Sequence, residues 1–179
     1  KAVQLRLLFL TLPFMKEIKI TSSAIVFKDI TELNVEDALL MHKAIEARKK
    51  AYAPYSKFNV GAAILLENSE IITGNNQENA AYPSGMCAER VAIWKAGSDF
   101  PGIKILKLAI SASSSINKVD KPVGPCGACR QSLSEYEIKQ KQLFPILFMG
   151  EVGEIVKTES LASLLPFSPA ILNHLNAFS

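Results

Sequence analysis

Apolar positions along this chain follow two periods, and the switches between them mark out its elements. From Glu17 to Phe27 (EIKITSSAIVF) Ile, Val and Thr recur with partial alternation, which predicts one or two short strands. Asn34 stands where a helix cap belongs, with Asp37 in a weak capping-box position. Val35, Ala38, Leu39, His42 and Ile45 follow at helical spacing, Arg48, Lys49 and Lys50 suit the C-terminal end of the helix dipole, and Pro54 ends the helix. Phe58–Leu66 is a continuous apolar run that predicts a buried strand. Glu67-Asn68-Ser69 is a turn, and Glu70–Thr73 begins the return strand of a hairpin. Gly61 inside the run marks a close backbone approach.

Asn79–Gly85 reads as a loop, Cys87–Ala96 as a second helix carrying Val91, Ile93 and Trp94, and Ile103–Ser111 as a strand. Ser113–Gly124 is polar, contains Pro122 and predicts a long loop. Cys126–Lys139 predicts a third helix, and Leu143–Met149 a buried strand in which Pro145 argues for a bulge or an edge position. Glu154–Lys157 gives a last short strand. Ser160–Leu165 and Pro169–Leu175 give short helices separated by Pro166-Phe167-Ser168. The order predicts an α/β fold: a mixed sheet with helices on both faces, in three α/β/α layers. There is no internal repeat and no linker, and 179 residues suffice for one domain with a substantial core.

Composition narrows this picture. Hydrophobic residues make up 49% of the chain, too many for a disordered segment. A net charge of +3 is too balanced to argue for a nucleic-acid partner, and Arg48-Lys49-Lys50 and Lys139–Lys141 read as solvated helix faces. No apolar run reaches the roughly 18 residues that predict a membrane span. Residues 1–14 have a basic start and an apolar middle but lack a small-residue cleavage site. Pro13-Phe14-Met15 closes them and Met15 suits a natural start, so they read as vector-derived or as an upstream extension, with 15–179 as the single domain. Three cysteines cannot build a full disulfide framework, and reduced thiols suit a cytoplasmic setting.

All three cysteines fall in two clusters, Cys87-Ala88-Glu89 and Pro125-Cys126-Gly127-Ala128-Cys129, each at a predicted helix start. Positions i and i+3 share a helix face, so Cys126 and Cys129 can converge on one ion, and helix N-termini favour the thiolate form. Three thiolates suit tetrahedral Zn²⁺ and leave one position open, which separates a catalytic site from a closed structural one. Neither His42 nor His174 has metal-ligand spacing to a cysteine. Three thiolates and one Zn²⁺ sum to about −1 and weaken the metal as a Lewis acid, so a compensating charge is expected from the two helix dipoles or from Arg90. Glu89 is too close to Cys87 to be a comfortable ligand, yet close enough to move a proton at the open position. Two other classes compete: a structural zinc module, which needs a fourth fixed ligand and no Glu89, and an editing enzyme, which needs a basic groove with interleaved aromatics that this sequence does not show.

Cys-x-Glu followed by Pro-Cys-x-x-Cys is the signature of zinc nucleobase deaminases. Around it stand Tyr52-Ala53-Pro54-Tyr55-Ser56, Phe58-Asn59-Val60-Gly61-Ala62-Ala63, Asn76-Gln77-Glu78-Asn79-Ala80-Ala81-Tyr82-Pro83, Met86-Cys87-Ala88-Glu89-Arg90 and Pro125-Cys126-Gly127-Ala128-Cys129-Arg130-Gln131. In these ordered blocks, over roughly residues 51–134, the chain resembles the small, homotetrameric, three-cysteine cytidine deaminases. The resemblance implies a central mixed five-stranded sheet and one Zn²⁺ per chain on Cys87, Cys126 and Cys129. It implies hydrolysis of cytidine and deoxycytidine to uridine and deoxyuridine in pyrimidine salvage, by zinc-activated water attacking C4 while Glu89 shuttles protons. A related cytosine nucleoside, such as an antibiotic nucleoside, is the alternative substrate.

Further roles are implied by position. Phe58 resembles the residue that packs on the pyrimidine, Asn76 and Glu78 the pair on the ribose hydroxyl, and the Ala88 backbone the contact to the pyrimidine carbonyl. Ala80 and Tyr82 resemble residues given across a subunit interface, Phe167 a residue that stacks on the base from another subunit, and Arg90 the arginine that donates to the cysteine thiolates. Gly124 departs from the family's usual Ser or Thr. Residues before about Asn34 and the loop 113–123 have no counterpart in the resemblance.

Overall fold

The computed structural model describes residue 17 and residues 19–167. Its sheet grows outward from two long central strands, β2 (Phe58–Leu66) and β4 (Ile105–Ser114), which pair antiparallel from Phe58 opposite Ser114 to Leu66 opposite Ile105. The hairpin return, β3 (Ile71–Asn75), borders β2. On the other side β5 (Ile146–Met149) runs parallel to β4, β6 (Ile155–Thr158) antiparallel to β5, and β1 (Ile25–Phe27) antiparallel to β6. The order is β1-β6-β5-β4-β2-β3.

Strand side chains alternate between faces, and β2 shows why its sequence reads as one apolar run: both faces are covered. Ala62, Ile64 and Leu66 meet Ala92, Ile93 and Ala96 of α2 (Ala88–Asp99) and Leu133 of α3 (Gly127–Gln140). Ala63 and Leu65 meet Leu40, Met41 and Ala44 of α1 (Val35–Arg48) on the opposite face. Thus α2 and α3 form one outer layer and α1 the other.

Two glycines bring helix and strand backbones into contact. A Cβ at Gly61 would lie 2.1 Å from the Ala44 carbonyl oxygen of α1, and one at Gly74 would lie 2.5 Å from the Ala88 carbonyl oxygen of α2. The first is the close approach that Gly61 predicted. The second has no counterpart in the sequence reading.

The three-layer prediction holds, but the sheet has six strands rather than five. β1, which falls within the strand predicted over Glu17–Phe27, stands at one edge of the sheet and pairs with β6. The predicted apolar stripe of α1 is also displaced: Val35 is 88% exposed and Leu39 50%. The buried face carries Asp37, Leu40, Met41, Ala44 and Arg48, so two of its positions are charged and their side chains hid the period. The helix ends at Arg48, before Pro54.

Arg48 is buried rather than solvated. Its guanidinium donates to Ser111 Oγ (2.7 Å) and to the carbonyls of Ala112 and Gly150, tying α1 to the ends of β4 and β5. Asn34 and Asp37 cap reciprocally: Asp37 N–H donates to Asn34 Oδ1 (2.8 Å) and Asn34 Nδ2 donates to the Asp37 carboxylate (3.1 Å), which is also held by Lys107 (2.7 Å) and Lys157 (2.5 Å) from the sheet. Pro145 produces neither bulge nor edge. It stands just before β5, leaves its carbonyl to accept from Leu108 N–H, and β5 runs between β4 and β6. The helix expected at 160–165 is a single 3-10 turn, Leu161–Ser163, capped by Ser160. The expected helix 169–175 and the extension 1–14 lie outside the described residues.

Candidate metal centre and active site

Two helix N-termini meet on one side of the sheet. Cys87 is the N-cap of α2 and Cys126 the N-cap of α3, while Cys129 sits in the first turn of α3 and is fully buried. Their sulfurs lie within 4.8 Å of one another, with Cys87 and Cys126 4.0 Å apart, and all three are free thiols. A tetrahedral zinc with Zn–S bonds of about 2.3 Å sets its sulfurs about 3.8 Å apart. The cluster therefore has the spacing of a metal site, too wide for a disulfide.

Protonation points the same way. The Cys87 thiol is brought down to about 5 by its hydrogen bond with Cys129; burial opposes this, and Arg90 reinforces it. The same bond and burial push the Cys129 thiol up. Neighbouring thiolates repel, and a divalent ion bound between them relieves that conflict. Arg90 Nη2 donates to Cys87 Sγ at 3.5 Å, its buried Nε has no partner among the described residues, and its guanidinium lies 5.9 Å from the Trp94 ring centroid. The residues present fit a zinc ion.

Glu89, in the first turn of α2, is 5% exposed. Burial pushes its carboxyl up to about 7, with its own backbone N–H pulling down and the Cys87 charge pushing further up. A carboxyl poised there can both accept and donate a proton near neutrality. Among the described residues the metal-ligating cluster is these three cysteines; His42 is exposed on α1, and His174 lies outside the described residues.

The predicted substrate residues divide into two sets. Phe58 is half-buried and lines an open cleft of about 380 Å³ with Ser114, Val119 and Val123, the last just before the cysteine pair. Ala88 is fully buried at the start of α2. Asn76 donates from Nδ2 to the Phe58 carbonyl (2.9 Å) and accepts at Oδ1 from Val60 N–H (2.8 Å). Glu78 Oε2 accepts from the N–H groups of Tyr55 (2.9 Å) and Ser56 (3.2 Å). By contrast Ala80, Tyr82 (91% exposed) and Phe167 stand exposed.

Two supporting residues were given no role by the sequence reading. Gly74 seats α2 on β3, and its only signal is a glycine at the end of a strand. Arg130 donates from Nε to the Pro125 carbonyl (2.8 Å) and from Nη1 to the Leu164 carbonyl (2.9 Å), holding the loop that presents Cys126 against the C-terminal segment.

The family model described as "Cytidine and deoxycytidylate deaminase zinc-binding region" matches residues 34–144, and the chain belongs to this family. It is 43% identical over 128 residues to a cytidine deaminase of Sporosarcina psychrophila, covering 71% of this chain and 86% of that one. It is 40% identical over 124 residues to a cytidine deaminase of Halalkalibacterium halodurans, covering 69% and 89%. The 1.6 Å crystal structure of cytidine deaminase from Burkholderia pseudomallei superposes with a TM-score of 0.64 at 34% identity, covering 76% of this chain and 99% of that one.

Proposed function

We infer that this protein is a zinc-dependent hydrolytic deaminase that converts cytidine and deoxycytidine to uridine and deoxyuridine. The observation that carries the reading is the convergence of Cys87, Cys126 and Cys129 at two helix N-termini, with the buried carboxyl of Glu89 beside them in the family's fold. Cys87, Cys126 and Cys129 would hold one zinc, which when bound supplies Lewis acidity that makes a water acidic near neutral pH.

Glu89 takes a proton from the attacking water and delivers it to the pyrimidine N3, then passes a second to the departing amino group, so that ammonia leaves. A carboxyl held near 7 serves both directions. Arg90 offsets the thiolate charge through its bond to Cys87. The backbone at Ala88, among the free N–H groups of the first turn of α2, holds the pyrimidine carbonyl. Phe58 packs on the ring, and Asn76 and Glu78 hold the ribose hydroxyl. Ala80, Tyr82 and Phe167, exposed in one chain, complete neighbouring sites in a homotetramer. Free thiols suit a reducing compartment, and the setting we infer is cytoplasmic pyrimidine salvage.

Loss of cytosine-ring absorbance with cytidine, deoxycytidine, cytosine, CMP, adenosine and a cytosine-containing antibiotic nucleoside tests the assignment. Turnover of the first two is expected. Activity confined to the antibiotic nucleoside or to CMP would replace the reading. Glu89→Gln is expected to retain zinc and to lose at least about a thousandfold in kcat, since general acid–base catalysis contributes roughly 10²–10⁴. Unchanged turnover removes Glu89 from the chemistry.

A further inference from the structure

The segment Asn76-Gln77-Glu78 is bonded on every side, and its partners are the loops that carry the site. Its backbone joins two neighbours. Gln77 N–H donates to the Met86 carbonyl (2.9 Å), and Met86 N–H donates back to the Gln77 carbonyl (2.8 Å). Tyr52 N–H donates to the Asn76 carbonyl (3.0 Å), and Glu78 N–H to the Tyr52 carbonyl (2.8 Å). Met86 is the residue before Cys87, so one side of this small ladder is fixed to the start of α2.

The side chains of Asn76 and Glu78 reach a third segment, the entrance to β2. The regular β2–β3 ladder stops at Gly61 opposite Asn75. Beyond it the Asn76 backbone N–H donates to the Val60 carbonyl (3.1 Å), and the Asn76 amide extends the pairing, its Oδ1 accepting from Val60 N–H and its Nδ2 donating to the Phe58 carbonyl. An amide is the one side chain of this size with a donor and an acceptor side by side; a carboxylate would set oxygen against the Phe58 carbonyl. One oxygen of Glu78 gathers the N–H groups of Tyr55 and Ser56, closing the turn that ends at Lys57, whose φ is +57°. A non-glycine residue there needs its surroundings to hold it.

We propose that Asn76 and Glu78 are positioning residues for Phe58: they fix the Tyr55–Val60 entrance of β2 and register it, through Gln77 and Met86, against Cys87 and Glu89. Their hydrogen bonds run to Phe58, Val60, Tyr55 and Ser56 of the same chain, at the entrance of β2. Asn76 has a second amide N–H, and Glu78 a second oxygen, outside these backbone bonds among the described residues. The role therefore stands beside a contact to the ribose rather than replacing it. It deepens the cytidine deaminase reading and rests on it.

The test is a double-mutant cycle in the zinc-loaded enzyme, with Asn76→Asp, Glu78→Leu, Phe58→Leu and the two doubles containing Phe58→Leu. kcat/KM is measured for cytidine. 2′,3′-Dideoxycytidine, which lacks the 2′- and 3′-hydroxyls and keeps only the 5′-hydroxyl, serves as a second substrate or competitive inhibitor. Each single variant is expected to lose about tenfold to hundredfold, because misplacement by about 1 Å costs up to about 10². The loss should persist with the dideoxy compound, and each double should fall within about threefold of Phe58→Leu alone, since residues acting through one another are not additive.

Losses that vanish with the dideoxy compound, or that multiply with Phe58→Leu, overturn the proposal. So does a fall in melting temperature with activity per bound zinc unchanged. Glu78→Gln, which keeps an acceptor for Tyr55 and Ser56, carries the same cycle if a harsher variant does not fold, with a smaller loss of the same non-additive kind. Wild-type enzyme that turns over no cytidine would fail the deaminase reading itself, and is scored first.

Discussion

Gly74→Ala tests whether the chemistry depends on how tightly α2 sits on the sheet. A Cβ at Gly74 would stand 2.5 Å from the Ala88 carbonyl oxygen and 2.5 Å from the Ala92 nitrogen, where ordinary contact begins at 3.4 Å. Neither neighbour is a side chain that can swing away, so the first turn of α2 must recede by about 0.9 Å. Cys87 and Glu89 travel with it, while Cys126 and Cys129 on α3 stay. Overpacking of this kind costs about 1–3 kcal/mol, or roughly 2–12 °C in melting temperature for a chain of this size. A displacement near 1 Å at reacting groups costs about a hundredfold in rate, equivalent to about 2.7 kcal/mol.

The matched control is Gly61→Ala, whose Cβ would stand 2.1 Å from the Ala44 carbonyl oxygen, on the sheet face that carries α1 and away from the cysteines. Calorimetry, zinc per chain and cytidine turnover per bound zinc are measured on both. Gly61→Ala should lose at least as much stability yet keep turnover within about threefold, and Gly74→Ala should lose about a hundredfold. Equal loss of turnover in the two, or a destabilised Gly74→Ala with unchanged turnover, refutes the coupling of helix seat to chemistry.

Cys129→Ser should lower the zinc retained after dialysis to a small fraction of the wild-type content, read by metal analysis, because the fully buried thiol is the ligand least able to be replaced by solvent. Asp37 governs an acid limit. Burial pushes its carboxyl up, but the hydrogen bonds and charges of Lys107 and Lys157 outweigh burial and hold it below the usual carboxylate range. Its contribution is then fully present above the ordinary carboxylate value of about 3.9 and is lost as pH falls through the lower folded value. Asp37→Asn should cost about 2 kcal/mol near neutrality, and the gap to wild type should shrink below about pH 4 in denaturant titrations, whereas a pH-independent gap rejects the ion-pair account.

The metal site was legible because its chemistry is local: Cys126 and Cys129 lie on one helical turn, and Glu89 stands two residues from Cys87. The layer arrangement was legible because helices and strands alternate along the chain. What stayed hidden was the identity of the buried faces wherever charge enters the core. On α1 the apparent stripe of Val35, Leu39 and His42 faces outward. The true inner face contains Asp37 and Arg48, each tolerable only because groups distant in sequence meet it: Lys107 and Lys157 for one, Ser111 and Gly150 for the other. A hydrophobic pattern carries no record of such partners.

The same physics governs Asn76 and Glu78. As residues in a polar loop they invite the reading of groups waiting for a ligand, and family resemblance assigns them one. The fold also gives each of them backbone partners in the β2 entrance. A polar side chain with more than one hydrogen-bonding atom can brace the site and still offer the remaining one to substrate, an N–H from Asn76 or an oxygen from Glu78. Binding then starts from a surface already ordered, which lowers the entropy that substrate must overcome. Substitutions that remove the ribose contact therefore also loosen Phe58, and measuring them on cytidine alone merges the two effects. The dideoxy compound and the Phe58→Leu background separate them.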